Sequence, residues 1–310
     1  MTEQIEVPAD LDGTRADRAV AVLCSVSRRA ARLTFESDGV KRGGLALVGS
    51  SKVAEGDILQ VDLVVEEAVM IPEESVEFDV AFEDEDVIVV DKPAGVVVHP
   101  GAGRPGGTLA NGLLSRYPDI ADLGPEHRWG IVHRIDRDTS GLLIVGKNAL
   151  AFDYLQAALK RRDIKREYRA LVSGLFASST GTIDAPVGRD PADPTRMAVV
   201  ETGRPARTHY QRLAEWSDAD VSLASVALET GRTHQIRVHI RSIGHPVVGD
   251  PVYGRKRPTP GDPGRTWLHA TSLTFDHPSG SGPMTVRSDL PADLSASLAG
   301  LGEPTRGVID

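Results

Sequence analysis

The chain has 310 residues, 40% of them hydrophobic and 25% charged, with a formal net charge of −9. That length and apolar content suit two soluble domains, and the charge excludes a uniformly basic nucleic-acid-binding protein. The single cysteine, Cys24, excludes an internal disulfide and any CxxC metal site and fits a reducing, cytoplasmic setting.

The acidic start MTEQIEVPADLDG lacks the apolar core of a secretory signal. No apolar stretch approaches the length of a membrane span. Ala16, Ala19, Val20 and Leu23 recur at helical spacing. Ser27 is placed to cap a second helix that carries Arg28, Arg29 and Arg32, with Gly39 to end it. Residues 45–48 and 58–63 read as short strands, joined through the turn at Gly56-Asp57. A basic helix over a small sheet is a platform for RNA phosphates. The acidic run 66–77, broken by Pro72, reads as linker-like.

A second set of elements follows. Val87-Ile88-Val89-Val90 reads as a strand, Asp91-Lys92-Pro93-Ala94-Gly95 as a turn, and Val96-Val97-Val98 as a resumed strand. His133, Arg134, Asp136, Asp138 and Thr139 then fall within seven residues, directly before the apolar run Gly141-Leu142-Leu143-Ile144-Val145. A charged turn feeding a buried strand is a costly place for a carboxylate unless it is paired. Residues 149–162 have helical character, with Asn148 as cap and Ala151, Leu155, Ala158 and Leu159 on one face. Tyr168, Ala170 and Val172 alternate as on a strand, and 221–228 is another. Strands outnumber helices without a regular βαβ repeat, so the expected class is α+β around a largely antiparallel sheet.

In the stretch from Glu229 to Pro246, Thr233 is the expected N-cap, Ile236, Ile240 and Ile243 mark an apolar face, and Gly244 with Pro246 closes the helix. Arg237 then lies in the first turn, where the helix dipole disfavours a cation by about 0.3–1 kcal/mol. Such a cation needs a partner. Asp136 is the candidate, and a loop carbonyl is the open alternative. Further basic residues are clustered: Lys160, Arg161, Arg162, Lys165, Arg166 and Arg169; Arg232, His234, Arg237, His239 and Arg241; Arg255, Lys256 and Arg257. With the Arg28 group these make four basic runs in an acidic chain, which favours a polyanionic ligand over four solvated faces. The nine histidines show no HExxH or other tight metal spacing, and P-loop, dinucleotide and GxSxG signatures are absent. Asp91, Asp136, Asp138 and Asp250 leave a glycosidase-type carboxylate pair open.

Four ordered segments resemble one family: Asp91-Lys-Pro-Ala-Gly-Val-Val-Val-His-Pro100, His133-Arg-Ile-Asp-Arg-Asp-Thr-Ser-Gly141, Lys165-Arg-Glu-Tyr-Arg-Ala-Leu-Val172 and Thr230-Gly-Arg-Thr-His-Gln-Ile-Arg237. Gly249-Asp-Pro-Val-Tyr-Gly254 and Leu268-His-Ala270 add to the match. Together they resemble the RluA-type RNA pseudouridine synthases. Arg15 and Asp17, Ser27-Arg28-Arg29, Gly39-Val40, Lys52-Val53 and Glu55-Gly56-Asp57 resemble the S4 RNA-binding domain. The combination is most similar to the large-subunit synthase D branch. Ile135, Arg137 and Gly146 depart from the residues usual in the family, and the Pro258–Gly264 insertion is a surface loop without an assigned role.

The resemblance implies an S4-like domain at 14–76, a linker at 77–83, a catalytic domain of mixed, largely antiparallel sheet flanked by helices at 84–302, and a flexible tail at 303–310. It implies isomerisation of uridine to pseudouridine without metal or cofactor, by a monomer whose partner is RNA: a 23S rRNA stem-loop or the pre-ribosomal large subunit. Asp136 becomes the catalytic carboxylate and Arg237 its pair. Tyr168 would stack on the uracil and assist removal of the C5 proton. Arg134 would fill the space left by a flipped nucleotide, while His133, Arg28, Arg29, Arg32, Arg166, Arg232 and His234 would contact RNA. Asp138 and Thr139 read as turn scaffolding. Other rRNA sites, a tRNA anticodon arm, a non-catalytic ribosome-assembly protein and a nucleoside or glycoside hydrolase remain as rivals.

Overall fold

The structure is a computed structural model and describes residues 3–26, 28–64, 71–101, 106–124 and 128–309, with Arg28 and Arg29 described by backbone alone. The chain divides into two compact units, 1–70 and 71–310.

The first unit comprises β1 (Glu3–Glu6), α1 (Ala16–Leu23), α2 (Arg28–Glu36), β2 (Val40–Arg42), β3 (Leu45–Ala46) and β4 (Ile58–Val61). Its antiparallel sheet runs β1-β4-β2-β3. The apolar stripe of α1 buries Ala16, Ala19 and Val20 against Ala31, Phe35, Val40, Leu59 and Val61, as helical spacing of small residues requires. After α2 the left-handed position is Asp38 (φ 57°) rather than Gly39. Gly39 is needed for a different reason: a Cβ there would lie 2.6 Å from the Asp62 carbonyl oxygen.

The second unit comprises β5 (Asp79–Glu83), β6 (Val87–Lys92), α3 (Leu109–Arg116), β7 (Ser140–Gly146), α4 (Ala149–Arg161), β8 (Lys165–Ser173), β9 (Thr180–Asp184), β10 (Val187–Arg189), β11 (Met197–Val199), β12 (Arg207–Trp216), β13 (Val221–Leu228), α5 (Gln235–Ser242), β14 (Leu268–Asp276), β15 (Pro283–Arg287), α6 (Ala292–Ala299) and β16 (Arg306–Gly307). The large sheet runs β16-β12-β13-β8-β14-β7-β6-β5, with β9 beside β12 and β15 beside β14. Among the described strands only β7 and β14 pair in parallel. The chain is therefore α+β with a mixed, largely antiparallel sheet. No helix among the described residues is long and apolar enough to cross a membrane.

The central strand β7 is buried at every position, which is why its apolar run is unbroken rather than alternating. Leu142 and Ile144 pack with Val87, Val89, Phe152, Leu155 and Phe275. Asn148 caps α4 by accepting from the Ala151 amide at 2.9 Å. At the β7–β14 contact, Gly141 has φ 107° and a Cβ there would lie 2.3 Å from the Ala270 carbonyl oxygen. Gly141→Ala is expected to cost about 3 kcal/mol through strain and clash. An unchanged denaturant midpoint would contradict this.

Three boundaries differ from expectation. The first unit ends at 70 rather than 76. The expected linker 77–83 contains β5, which pairs with β6 and half-buries Val80 and Phe82. An edge strand accommodates the acidic residues of this segment on its outer face. The acidic stretch is anchored as well, since the Glu73 carboxylate accepts from the Gly107 amide at 3.0 Å. Finally, within the expected loose tail, Arg306–Gly307 pairs with β12. Residues 96–98 make no strand; Val97 bridges Thr108 alone.

Candidate active site

Asp136 sits in the turn leading into β7. Its carbonyl accepts from the Thr139 amide at 3.2 Å. The next residue is clamped from the Asp91–Gly95 segment. The Lys92 ammonium donates to the carbonyls of Pro93 (2.7 Å), Val96 (2.9 Å) and Arg137 (3.0 Å). The Gly95 amide also donates to the Arg137 carbonyl, at 2.8 Å, from a left-handed backbone (φ 88°). Lys92 is fully buried, and burial pushes its ammonium down to about 7 against the charges of Asp136 and Asp138. Three carbonyl acceptors match the three protons of an ammonium, so the clamp favours the charged form. Asp138 pairs with its neighbour Arg137 at 2.9 Å, as turn scaffolding would.

The helix α5 brings Arg237 to this turn. The Arg237 Nη1 donates to Asp136 Oδ2 at 3.1 Å, while Nε and Nη2 grip Asp250 in a bidentate pair at 2.7 and 2.9 Å. Burial works against the Arg237 charge, but Asp250 and then Asp136 outweigh it and hold the guanidinium above its ordinary value. Asp250 is likewise buried; Arg237 and the amides of Tyr253 and Val252 overcome that burial and keep its carboxyl below the usual range. The Tyr253 ring supports the arginine from below, 4.9 Å from Cζ to the ring centroid. Two carboxylates therefore answer the cation in the first helical turn.

The expected N-cap differs. His234, with φ 56°, occupies that position, and the Gln235 side chain ties the loop by accepting from the Arg232 amide (2.9 Å) and the Thr230 hydroxyl (2.8 Å). Thr233 is displaced because this glutamine already does the work of a capping side chain. His239, also buried, bonds Thr208 and the Ala185 carbonyl at 2.8 and 2.9 Å and fixes α5 against β12.

One cavity is lined by Asp136, Arg237 and Tyr168 together with Arg134, Arg166, Arg232, His234 and Leu268. Tyr168 is 4% exposed, and burial pushes its phenol up, so it carries its proton near neutrality. The cavity thus joins an ion-paired carboxylate, an aromatic platform and several cationic donors. Such a site can bind a planar polar ring and supply one nucleophile or base. Among the described residues no group of three or more His, Cys, Asp and Glu side chains could hold a metal ion.

The expected RNA contacts divide. Arg134 is exposed at the cavity and Arg232 and His234 line it half-buried. His133 is not a surface contact: it is buried, accepts weakly from the Ile144 amide at 3.4 Å, and burial with the nearby Arg166 charge pushes it to about 3. Its place next to Arg134 in sequence hid the inward turn of the chain. Arg166 also faces inward rather than joining a basic surface. The run around it is locally neutralised, Arg161 by Asp163 at 2.7 Å and Arg162 by Glu229 at 2.8 Å. In the first unit Arg32 is exposed and pairs with Glu36 at 3.2 Å. The Ser27 cap and the side chains of Arg28 and Arg29 lie outside the described residues.

Three contributors were not placed at this site by the sequence: Lys92 and Tyr253 had no role, and Asp250 stood only among the carboxylates of a glycosidase-type pair. Each lies in a segment that carried the family likeness, Asp91–Gly95 or Gly249–Gly254, and that likeness was the available signal.

The comparisons with known proteins agree with this geometry. The family model described as RNA pseudouridylate synthase matches residues 86–242. The chain is 42% identical over 305 residues to the ribosomal large subunit pseudouridine synthase D of Nitrosomonas europaea, covering 96% of this chain and 87% of that protein. It is 40% identical over 307 residues to the protein of the same name from Haemophilus ducreyi, covering 95% and 93%. Among solved structures, human RNA pseudouridylate synthase domain containing 1 superposes with a TM-score of 0.59 at 28% identity, over 78% of this chain and 94% of that one. A family match over half the chain and relatives spanning nearly all of it settle the assignment: the chain belongs to the RNA pseudouridylate synthase family and is an RNA pseudouridine synthase, an isomerase.

Proposed function

We propose that this enzyme converts several uridines of one stem-loop in large-subunit (23S) rRNA to pseudouridine, with Asp136 as its essential carboxylate. The observation that carries the reading is the Arg237–Asp136 contact inside a cavity shared with Tyr168. The likeness to large-subunit synthases supports the choice of rRNA.

A uridine inside a folded stem-loop is inaccessible and must be everted, at a cost of a few kcal/mol. Stacking on Tyr168 offsets about 1–3 kcal/mol of that, and Arg134, exposed at the cavity, fills the vacated stack. Asp136 then engages the nucleotide while Arg237 holds it in position. The N1–C1′ bond breaks, the uracil turns, and C5 bonds to C1′. C5 loses its proton and N1 gains one, so no net redox change occurs. Tyr168, protonated and against the ring, assists as a relay: its hydroxyl passes its own proton on toward N1 as it takes the one from C5. The enzyme acts as a cytoplasmic monomer without metal or cofactor.

The first unit serves as an S4-like RNA-binding module. Neutralising Arg28, Arg29 and Arg32 together is expected to weaken RNA binding about tenfold and to flatten its salt dependence, because fewer counterions are released. The rate at saturating RNA should change much less. Equal losses of affinity and bound rate would contradict a purely binding role.

Pseudouridine mapping of rRNA from cells with and without this protein tests the substrate assignment. Loss of a few clustered pseudouridines from large-subunit rRNA is expected. An unchanged large-subunit map with losses in tRNA would overturn it.

A further inference from the structure

Arg166 is 6% exposed and lines the cavity. Among the described residues no carboxylate pairs with it, and its Nε meets no acceptor. It shares a face of β8 with Tyr168, two residues on. Its guanidinium lies so close to the loop before α5 that a Cβ on Gly231 would come within 2.8 Å of Nη1. The glycine leaves the arginine its room. Arg237, by contrast, has two carboxylates of its own.

A buried cation without a counter-charge is strongly unfavourable. A fold retains one where a ligand completes it, and such local inconsistencies concentrate at functional sites. The missing group is an anion. Uracil is neutral and offers only carbonyl dipoles, whereas every nucleotide of the RNA carries a phosphate. Arginine suits that partner because its planar fork can bond two phosphate oxygens at once. Arg134 and Arg232 line the same cavity and add to its positive field.

We propose that Arg166 receives a phosphate flanking the everted uridine, so that eversion completes an ion pair the free enzyme lacks. The proposal rests on the everted-uridine reading above. Arg166 thereby acts as a binding residue that rewards the flipped state. It contributes after docking, when the nucleotide enters the cavity, and little to the first encounter with the stem-loop.

The test uses the full chain and a stem-loop RNA in which the wild type makes pseudouridine. Methylphosphonate linkages replace the 5′ or the 3′ phosphate of the target uridine one at a time, with matched phosphodiester controls. One neutral linkage is expected to slow single-turnover isomerisation by the wild type roughly ten- to a hundredfold, the weight of a charge-assisted contact. Arg166→Gln should be equally slow on natural RNA and lose nothing further on the neutral linkage. Arg166→Met, free of RNA, should melt no lower than the wild type, because it removes an unpaired buried charge. Insensitivity of the wild type to both linkages would overturn the proposal, as would multiplied losses in Arg166→Gln. A fall in melting temperature that tracks the loss of activity would mark a packing role instead. If the wild type modifies no rRNA uridine, the underlying reading fails first, and that result is distinct from all of these.

Discussion

Asp136→Asn is expected to abolish pseudouridine formation, by on the order of a thousandfold or more, while RNA affinity stays within a few-fold of the wild type. The substitution keeps size and most hydrogen bonding, so the turn clamped by Lys92 and Gly95 should survive. It removes the charge that answers Arg237 Nη1 and the only carboxylate among the described residues that line the cavity. Asp250 cannot substitute, because both its oxygens are committed to Arg237 and its Oδ1 also accepts from the Val252 and Tyr253 amides. Nucleoside chromatography of the RNA, with a binding titration alongside, separates chemistry from docking. Normal modification by this variant would remove Asp136 from the mechanism. Loss of binding in parallel with activity would make the residue a docking contact.

Arg237→Met should lose both stability and activity. Asp250 is a buried carboxylate whose counter-charge is Arg237. Removing one partner of such a pair typically costs about 3–5 kcal/mol, because the other charge is left uncompensated. Activity should fall by on the order of a hundredfold or more as Asp136 loses its positioning contact. The double variant Arg237→Met with Asp250→Asn separates the two effects. Removing both charges should recover much of the stability and none of the activity.

The pH dependence has a definite sign. The Asp250 carboxyl is held low in the folded protein. Its contribution is present above the unfolded carboxylate value of about 4 and is lost as pH falls through the lower folded value. The stability gap between wild type and Arg237→Met should therefore narrow in acid. A gap that stays constant down to pH 2 would contradict the buried pair as its origin.

The parts legible in the sequence were those set by local periodicity. The stripe of α1, the Asn148 cap and the unbroken apolar run of β7 each follow from spacing alone. Arg237 in a first helical turn also announced that it needed a partner, and one of its two partners was named. What escaped were contacts fixed by distant segments. Asp250 is 13 residues from Arg237 in sequence, and Lys92 is 45 from the Arg137 carbonyl it binds. No spacing rule links such positions. The inward turn of His133 and Arg166 was hidden for a related reason. A run of basic residues looks like a solvated face until the strand alternation of β8 puts Arg166 and Tyr168 on the same inner side.

In this mechanism Asp136 drives an intramolecular shift of the C1′ glycosidic bond from N1 to C5 of uracil. Its most direct measurement is tritium release from large-subunit rRNA labelled at C5 of uridine. The wild type should release tritium in step with new pseudouridine and form no free uracil, and Asp136→Asn should release none at equal RNA occupancy. Free uracil, or tritium release undiminished in the variant, would contradict it.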